Sequence, residues 1–299
     1  MTGSLAGERA AWRDYLELGK PKVVSLIVFT AVVGMFLAVP GWPPLPGLVF
    51  GTLGIALAAS GAAAVNHVLD RRIDALMHRT RHRPLPMHRL TQVQALGYAA
   101  ALVLAGSALL AWQVNPLTAW LTFVSLVGYA VIYTVYLKRA SAQGVVIGGA
   151  AGAAPPLLGW AAATGHVDPG ALALFLIIFV WTPPHFWALA IHRREDYAKT
   201  GLPLLPVTRG VAHTKLQILL YTLLLAAVSL LPFAIGMSGL LYLIAALVLG
   251  GLFLWQAWRL KTSEDERLPL RTFRFSLWYL ALLFAALLVD HHLPLPPAG

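Results

Sequence analysis

GTLGIALAASGAAAVNHVLDRRIDALMHRTRHRPLP, residues 51–86, begins with fifteen residues that carry no charge and ends in a cluster of arginines. The uncharged part extends back to about residue 46, which makes it long enough to cross a bilayer, a distance of roughly 20 apolar residues. The next segment, NHVLDRRID, leaves the apolar stretch through one amide and two carboxylates spaced four residues apart. A membrane-spanning helix that ends in this way, rather than in a plain polar turn, sets the reading of the whole chain.

The alternation of uncharged stretch and charged loop repeats. No charged residue lies between Lys22 and Asp70, between Arg89 and Lys138, or between Lys215 and Arg259, gaps of 43–48 residues. Arg139 to Arg193 encloses only Asp168, and the stretch after Arg274 holds only Asp290. Each long gap accommodates two spans and a tight reversal, and the last stretch only one. Nine spans are therefore expected, at about 23–39, 46–69, 91–112, 117–137, 144–163, 170–191, 215–235, 240–259 and 273–290. Pro, Gly and Asn mark the reversals in PGWPP (40–44), QVNP (113–116), TGHVDPG (164–170) and GMSG (236–239).

With 299 residues, 59% hydrophobic and 11% charged, and a mean hydropathy of +0.73, the chain lies outside the range of soluble domains. Its 22 Lys and Arg against 12 Asp and Glu would suit nucleic acid in a soluble protein. Here all 22 fall in the N-terminal segment or in the four charged loops of one face. That bias marks the face as cytoplasmic and implies no nucleic-acid partner. The N-terminus is expected inside and the C-terminal HHLPLPPAG outside. Residues 1–22 lack the apolar core and small-residue cleavage site of a secretory signal. The absence of cysteine excludes disulfides, thiolate chemistry and iron–sulfur clusters. The fold expected is an all-α polytopic membrane protein, a single domain over 1–299 with nine transmembrane helices around a central cavity.

Small residues crowd GTLGIALAASGAAAV (51–65) and GVVIGGAAGAAPPLLGWAAATG (144–165), where they permit close helix contact, so these helices are expected inside the bundle. Pro155–Pro156 and Pro183–Pro184 fall within spans, and each proline removes a backbone donor. Carbonyls freed at that depth sit only against protein or a cavity. The fifth and sixth spans either wall a pocket or fit the curve of the bundle.

Two loops carry candidate chemistry, 66–90 and 192–214. Asn66, Asp70 and Asp74 recur every four residues, which stacks them along one side of a helix over about 12 Å. Mg2+ binds through one or two carboxylates together with substrate phosphates, and two aspartates one turn apart at the mouth of an apolar pocket suit it. The alternative is a solvated helix end with both acids paired to Arg71, Arg72 or His78. Arg79, Arg81 and Arg83 come next, and arginine forks fit phosphate oxygens, although a positive inner loop is rich in arginine without any ligand. The second cluster, HRREDYAKTGLPLLP (192–206), offers Glu195, Asp196, Arg193, Arg194 and Lys199. Lys20, Lys22, Lys138 and Arg139 are further basic candidates on that face.

At these residues the sequence resembles the UbiA-type intramembrane prenyltransferase superfamily, and more narrowly its heme-farnesylating branch. The likeness covers roughly residues 15–290 and rests on LGKPKV (18–23), the motif at 66–86, YTVYLKR (133–139), the small-residue segment at 148–165 and WTPPHFWALAIHRREDYAKTGLPLLPV (181–207). It implies farnesyl diphosphate and heme b as substrates, Mg2+ as cofactor, the bacterial inner membrane as location, and heme-handling or oxidase-assembly proteins as partners. Asn66, Asp70, Asp74, Lys138 and Asp196 are then expected to be catalytic, with Asp70, Asp74 and Asp196 on metal. Lys22, Arg79, Arg83, Tyr133, Arg139, His185, Arg193, Arg194, Tyr197 and Lys199 are expected to bind substrate. The second D-x-x-x-D of the superfamily falls on Arg193 and Tyr197 here, which puts a symmetric two-metal site in doubt. His185 lies about eight residues before the end of its span, where an ionisable group is either functional or hydrogen-bonded to a proline-freed carbonyl. Prenylation of a quinone-precursor ring and organic-anion transport are the competing readings. The absence of a charge near the middle of any span counts against transport.

Overall fold

The computed structural model describes residues 11–293. The C-terminal tail expected outside and the first ten residues lie outside the described residues. Among the described residues the chain is helical, with no strand. Helix α1 (Trp12–Leu18) leads through a sharp turn into α2 (Pro21–Leu37). Then come α3 (Gly47–Leu76), α4 (Gln92–Gln113), α5 (Pro116–Ala140), α6 (Gly144–Thr164), α7 (Pro169–His192), α8 (Val211–Ala234), α9 (Leu240–Thr262) and α10 (Leu268–His292). The last eight are each long and apolar enough to cross a membrane, and α1 with α2 passes the same test as a pair bent by 50°. The surface agrees with that setting. Trp42, Trp112, Trp120, Trp255 and Trp278 are exposed among many exposed Leu and Val side chains, a surface that only lipid can cover. The protein is a polytopic integral membrane protein.

The largest departure from expectation concerns α3, which continues two turns past residue 69 to Leu76. Asp70 and Asp74 consequently stand on the same rigid helix as Asn66. Helix α5 is also irregular: from Gly128 to Leu137 it is wound as a π-helix.

Small residues place the helices as their distribution suggests. Within its apolar window α6 is 67% buried by protein, against 22% for α4. It lies directly against α2, and two glycines set the distance: a Cβ on Gly34 would stand 2.1 Å from the Pro156 carbonyl oxygen, and one on Gly159 would stand 1.9 Å from that of Ala31. Backbone thus meets backbone. Helices α6 and α7 run unbroken through their proline pairs, and all four prolines are buried. Between α2, α3, α5, α6, α7 and α10 lies a cavity of about 460 Å³, lined by Pro155, Trp181 and Phe284 among others.

The second half packs around Ile177, Leu225, Phe253, Tyr279 and Leu283. At the end of the molecule opposite the acids, Asp290 accepts hydrogen bonds from the backbone N–H groups of Gly239 and Tyr242 and so satisfies the free first turn of α9. At the acid-bearing end, Met77, Val145, Tyr197, Leu202 and Leu204 form one apolar cluster that joins the two charged loops.

Gly159→Ala is expected to destabilise the protein by about 1–3 kcal/mol, since the added methyl meets backbone that cannot move aside. Thermal unfolding in detergent should show a lowered Tm for this variant. Gly152→Ala, which meets nothing within 4 Å, should show no loss.

Candidate active site

Asn66, Asp70 and Asp74 are each only 4% exposed. A carboxylate taken from water to that extent needs a cation or several donors, and here the cations come from distant segments rather than from Arg71, Arg72 or His78. Lys138 Nζ lies 2.6 Å from Asp70 Oδ2, and Arg83 Nη1 lies 2.8 Å from Asp74 Oδ2. Asn66 Nδ2 donates to the same Asp70 Oδ2 at 2.8 Å, while Lys20 Nζ donates to Asn66 Oδ1 at 2.6 Å. The loop after α3 is drawn back by Thr80, whose hydroxyl donates to the Asp74 carbonyl oxygen at 2.9 Å.

Each cation is delivered by a local device. Pro21 starts α2 at its first position, which leaves Lys20 as the residue before it, in the left-handed conformation at φ 49. Buried Leu18, packed among Ala64, Val68 and Leu85, and the pair of Arg89 with buried Asp14 hold α1 and this turn in place. Half-buried there, Lys20 has Arg83, Asp74 and Asp70 as its charged neighbours. Lys138 depends on the π-helix. Residues five apart on an α-helix differ by about 140° in direction, whereas i→i+5 winding brings them nearly one above the other. Tyr133 and Lys138 thereby share a side of α5, and the Thr134 hydroxyl donates back to the Tyr129 carbonyl oxygen at 2.8 Å.

The acid cluster opens onto the cavity. Lys20 belongs to both, and Tyr129 and Tyr133, stacked with ring centroids 5.9 Å apart, form part of the wall. Beyond them the lining is mostly Ala, Gly, Leu, Ile, Val and Phe, with Thr30, Thr122, Ser125 and Thr182 among them. Asp70 Oδ1, both ring nitrogens of His67 and the Thr122 hydroxyl are buried with no partner among the described residues.

The other expected residues divide. Arg79 is exposed and lies near Arg83 and Arg193, whose like charges it faces. Tyr197 is buried in the apolar cluster between the loops, and that burial raises its hydroxyl above the ordinary tyrosine range. Arg139 donates to the Leu69 carbonyl oxygen at 3.3 Å. Arg194 and Lys199 are exposed. Asp196 is half-buried, and among the described residues no three acids or histidines come together as a metal set, so Asp196 is not brought to Asp70 and Asp74. Lys22, the lysine singled out in LGKPKV, is exposed, and the structure brings Lys20 to the acids instead. The proline at the helix start was the available signal, because it fixes which lysine stands at the turn. Tyr129 was missed as well, although it stands four residues before Tyr133, a spacing that puts the two on one side of a helix. His185 is clamped between Trp181 and Phe273, with ring centroids 4.1 and 4.6 Å away. Its Nδ1 lies 2.7 Å from Ser276 Oγ and not on a proline-freed carbonyl.

A profile of the UbiA prenyltransferase family matches residues 27–288. The chain belongs to the UbiA prenyltransferase family. Among similar proteins, protoheme IX farnesyltransferase 1 of Pseudomonas fluorescens is 63% identical over 95% of this chain and 95% of that one. Protoheme IX farnesyltransferase of Azotobacter vinelandii is 62% identical over 97% of each. Solved structures share the fold at low identity. A digeranylgeranylglyceryl phosphate synthase structure superposes with a TM-score of 0.81 at 18% identity, covering 94% of this chain and 98% of that one. A UbiA homolog from Archaeoglobus fulgidus bound to DMAPP and Mg2+ gives 0.63 at 17% identity, covering 92% and 99%. The chain is a prenyltransferase.

Lys20→Met should lower prenyl transfer in isolated membranes by about 10- to 100-fold, the worth of one charged hydrogen bond. Lys22→Met should stay within about twofold of the parent, as expected of an exposed side chain without a partner. Equal losses in both would show that the buried lysine has no special part.

Proposed function

We propose that the chain transfers the farnesyl group of farnesyl diphosphate to a vinyl group of heme b, releasing diphosphate and forming heme O. The observation that carries this reading is the union of one buried acid-and-cation cluster with an apolar cavity, in a chain 63% identical to a protoheme IX farnesyltransferase. We place the protein in the bacterial inner membrane as one domain of nine spans, with the bent pair α1 and α2 as the first. The positive loops then face the cytoplasm with the N-terminus, and the C-terminus lies outside.

Lys20, Lys138 and Arg83 surround the place where the diphosphate sits, and Arg79 and Arg193 extend the positive rim. Asp70 and Asp74 would hold Mg2+. The fit rests on hard oxygen donors one turn apart and on a buried Asp70 Oδ1 that lacks any partner. When bound, the metal supplies charge neutralisation to the leaving diphosphate. The farnesyl C1–O bond breaks with its electron pair on the diphosphate, and fixed cations stabilise that charge because they need not reorganise. The resulting allylic cation lies beside the ring faces of Tyr129 and Tyr133, which favour positive charge. The lining, almost free of polar atoms, withholds water until the vinyl π electrons have formed the new C–C bond. One water then adds to the porphyrin-side cation and loses a proton, which completes the hydroxyethylfarnesyl group. Heme-handling or oxidase-assembly proteins would deliver the acceptor and take the product.

Asp70→Asn and Asp74→Asn should each cut heme O formation by at least about 10²-fold. Chelation should abolish the activity of the parent, and added Mg2+ should restore it. The assay is heme O formed from heme b and farnesyl diphosphate by purified protein. Unimpaired product from both variants would remove the acid site from the mechanism, and prenylation of a phenolic ring acceptor but not of heme would reassign the substrate.

A further inference from the structure

Away from the acid cluster, the hairpin of α9 and α10 carries Arg259, Arg267, Arg271 and Arg274. All four are exposed, and none lines the cavity. Arg259 lies just under one turn before the end of α9, and Arg271 the same distance after the start of α10. The seam between the two helices fixes their rotation. Gln256 Nε2 donates to Thr272 Oγ1 at 3.4 Å, and the Phe253 ring meets Phe275 and Tyr279 with centroids 5.5 and 5.1 Å away. At about 100° per residue, Leu252 and Arg259 lie within about 60° of Gln256, and Arg271, Trp278 and Leu282 within about 60° of Phe275. All five are exposed, so they flank the outer edge of the seam, which lipid covers. The groove there has an arginine on each wall near the loop and Leu252, Trp278 and Leu282 further into the membrane.

Among the described residues neither Arg259 nor Arg271 pairs with an acid, although the loop between them holds three. Glu264 stands 3.5 Å from Lys215 on α8, Asp265 accepts the backbone N–H of Arg267, and Glu266 makes no ion pair. Arg259 is instead held over the Trp255 ring, 4.9 Å from its centroid, and that ring is itself 56% exposed. Positive-inside topology asks only for charge in the loop. It does not account for a guanidinium laid on a lipid-facing ring with a second guanidinium across the seam.

We propose that the outer seam between α9 and α10 is a binding site for one anionic glycerophospholipid. The forked donors of Arg259 and Arg271 take the phosphate oxygens. Trp255 and Trp278 lie along the boundary between headgroup and acyl chain, where amphipathic rings are favoured, and Leu252 and Leu282 carry the chains. A zwitterionic lipid offers the same phosphate, but its own ammonium competes for it, so two unpaired cations select a lipid of net negative charge. Another side of α10 gives Leu280 and Phe284 to the cavity. The bound lipid therefore steadies a helix that is also a wall of the reaction chamber.

The experiment is native mass spectrometry of the full chain, delipidated in detergent and titrated with phosphatidylglycerol or with phosphatidylcholine of the same acyl chains. The first phosphatidylglycerol should bind the parent about 30-fold more tightly than the first phosphatidylcholine, at about fivefold per arginine. Arg259→Gln and Arg271→Gln should each reduce that preference about fivefold, and the double variant should abolish it while binding phosphatidylcholine as the parent does. Arg259→Lys with Arg271→Lys keeps the charge without the fork, guards against a folding defect, and should retain part of the preference. Arg13→Gln with Arg209→Gln removes the same charge from other exposed positions and should leave the preference within about twofold. A preference that survives in the Arg259→Gln, Arg271→Gln variant overturns the proposal. So does an equal loss in the Arg13→Gln, Arg209→Gln variant, which would assign the effect to overall surface charge.

Discussion

Two carboxylates buried near the end of a membrane helix impose the organisation of the active end. In an apolar setting a lone carboxylate costs several kcal/mol, so the chain must bring cations to Asp70 and Asp74. They come from three places: the turn before α2, the loop after α3 and the end of α5. The acid motif therefore fixes the relative position of three other segments, and the packing of α1, the π-helix and the Thr80 turn all serve that end. The same cations are poised for an anion. Once an anionic substrate and a hard cation enter together, pairs that now neutralise one another can exchange partners without leaving a bare charge.

The two ends of the molecule solve the helix-terminus problem differently, in keeping with their roles. Opposite the acids, Asp290 is spent on the backbone of α9, and its oxygens are both satisfied. At the acid end Asp70 Oδ1 is left open, and the neighbouring His67 has both nitrogens unpartnered. Unsatisfied buried groups reduce stability by about 1–3 kcal/mol each, and of those in the described residues Asp70 Oδ1 and the His67 ring stand at the acid cluster, while the Ser238 hydroxyl and Trp187 Nε1 lie elsewhere.

Much of this was legible in the sequence, for physical reasons. The bilayer turns span length and charge placement into strong signals, so charge-free gaps and turn residues locate the helices to within a few residues, except that α3 continues past residue 69 to Leu76. The spacing of Asn66, Asp70 and Asp74 is legible because helical periodicity alone puts them on one side. What escaped depends on rotation or on distance in space. The choice of Lys20 over Lys22 turns on one backbone conformation at Lys20, which apolar periodicity does not record, whereas Tyr129 was within reach of the i,i+4 spacing to Tyr133. The expectation that Asp196 would join the acids came from treating the two loops as equivalent. The second loop inserts Tyr197 and Leu202 into an apolar cluster with Met77, so hydrophobic burial joins the two loops.

That joint bears on how such a site opens and closes. An ion-mediated bridge between the loops would weaken or strengthen with each substrate bound and released. An apolar cluster does not depend on the charge in the site. Substrates with long apolar tails need no gap between these loops if they reach the cavity from the lipid side. Close contact of α2 with α6 at Gly34 and Gly159 excludes that side as an entrance. Helices α5 and α6 also approach closely at Gly144 and Gly148, and a second pocket beside them shares Ser125, Tyr133, Gly148, Ala151 and Leu158 with the main cavity.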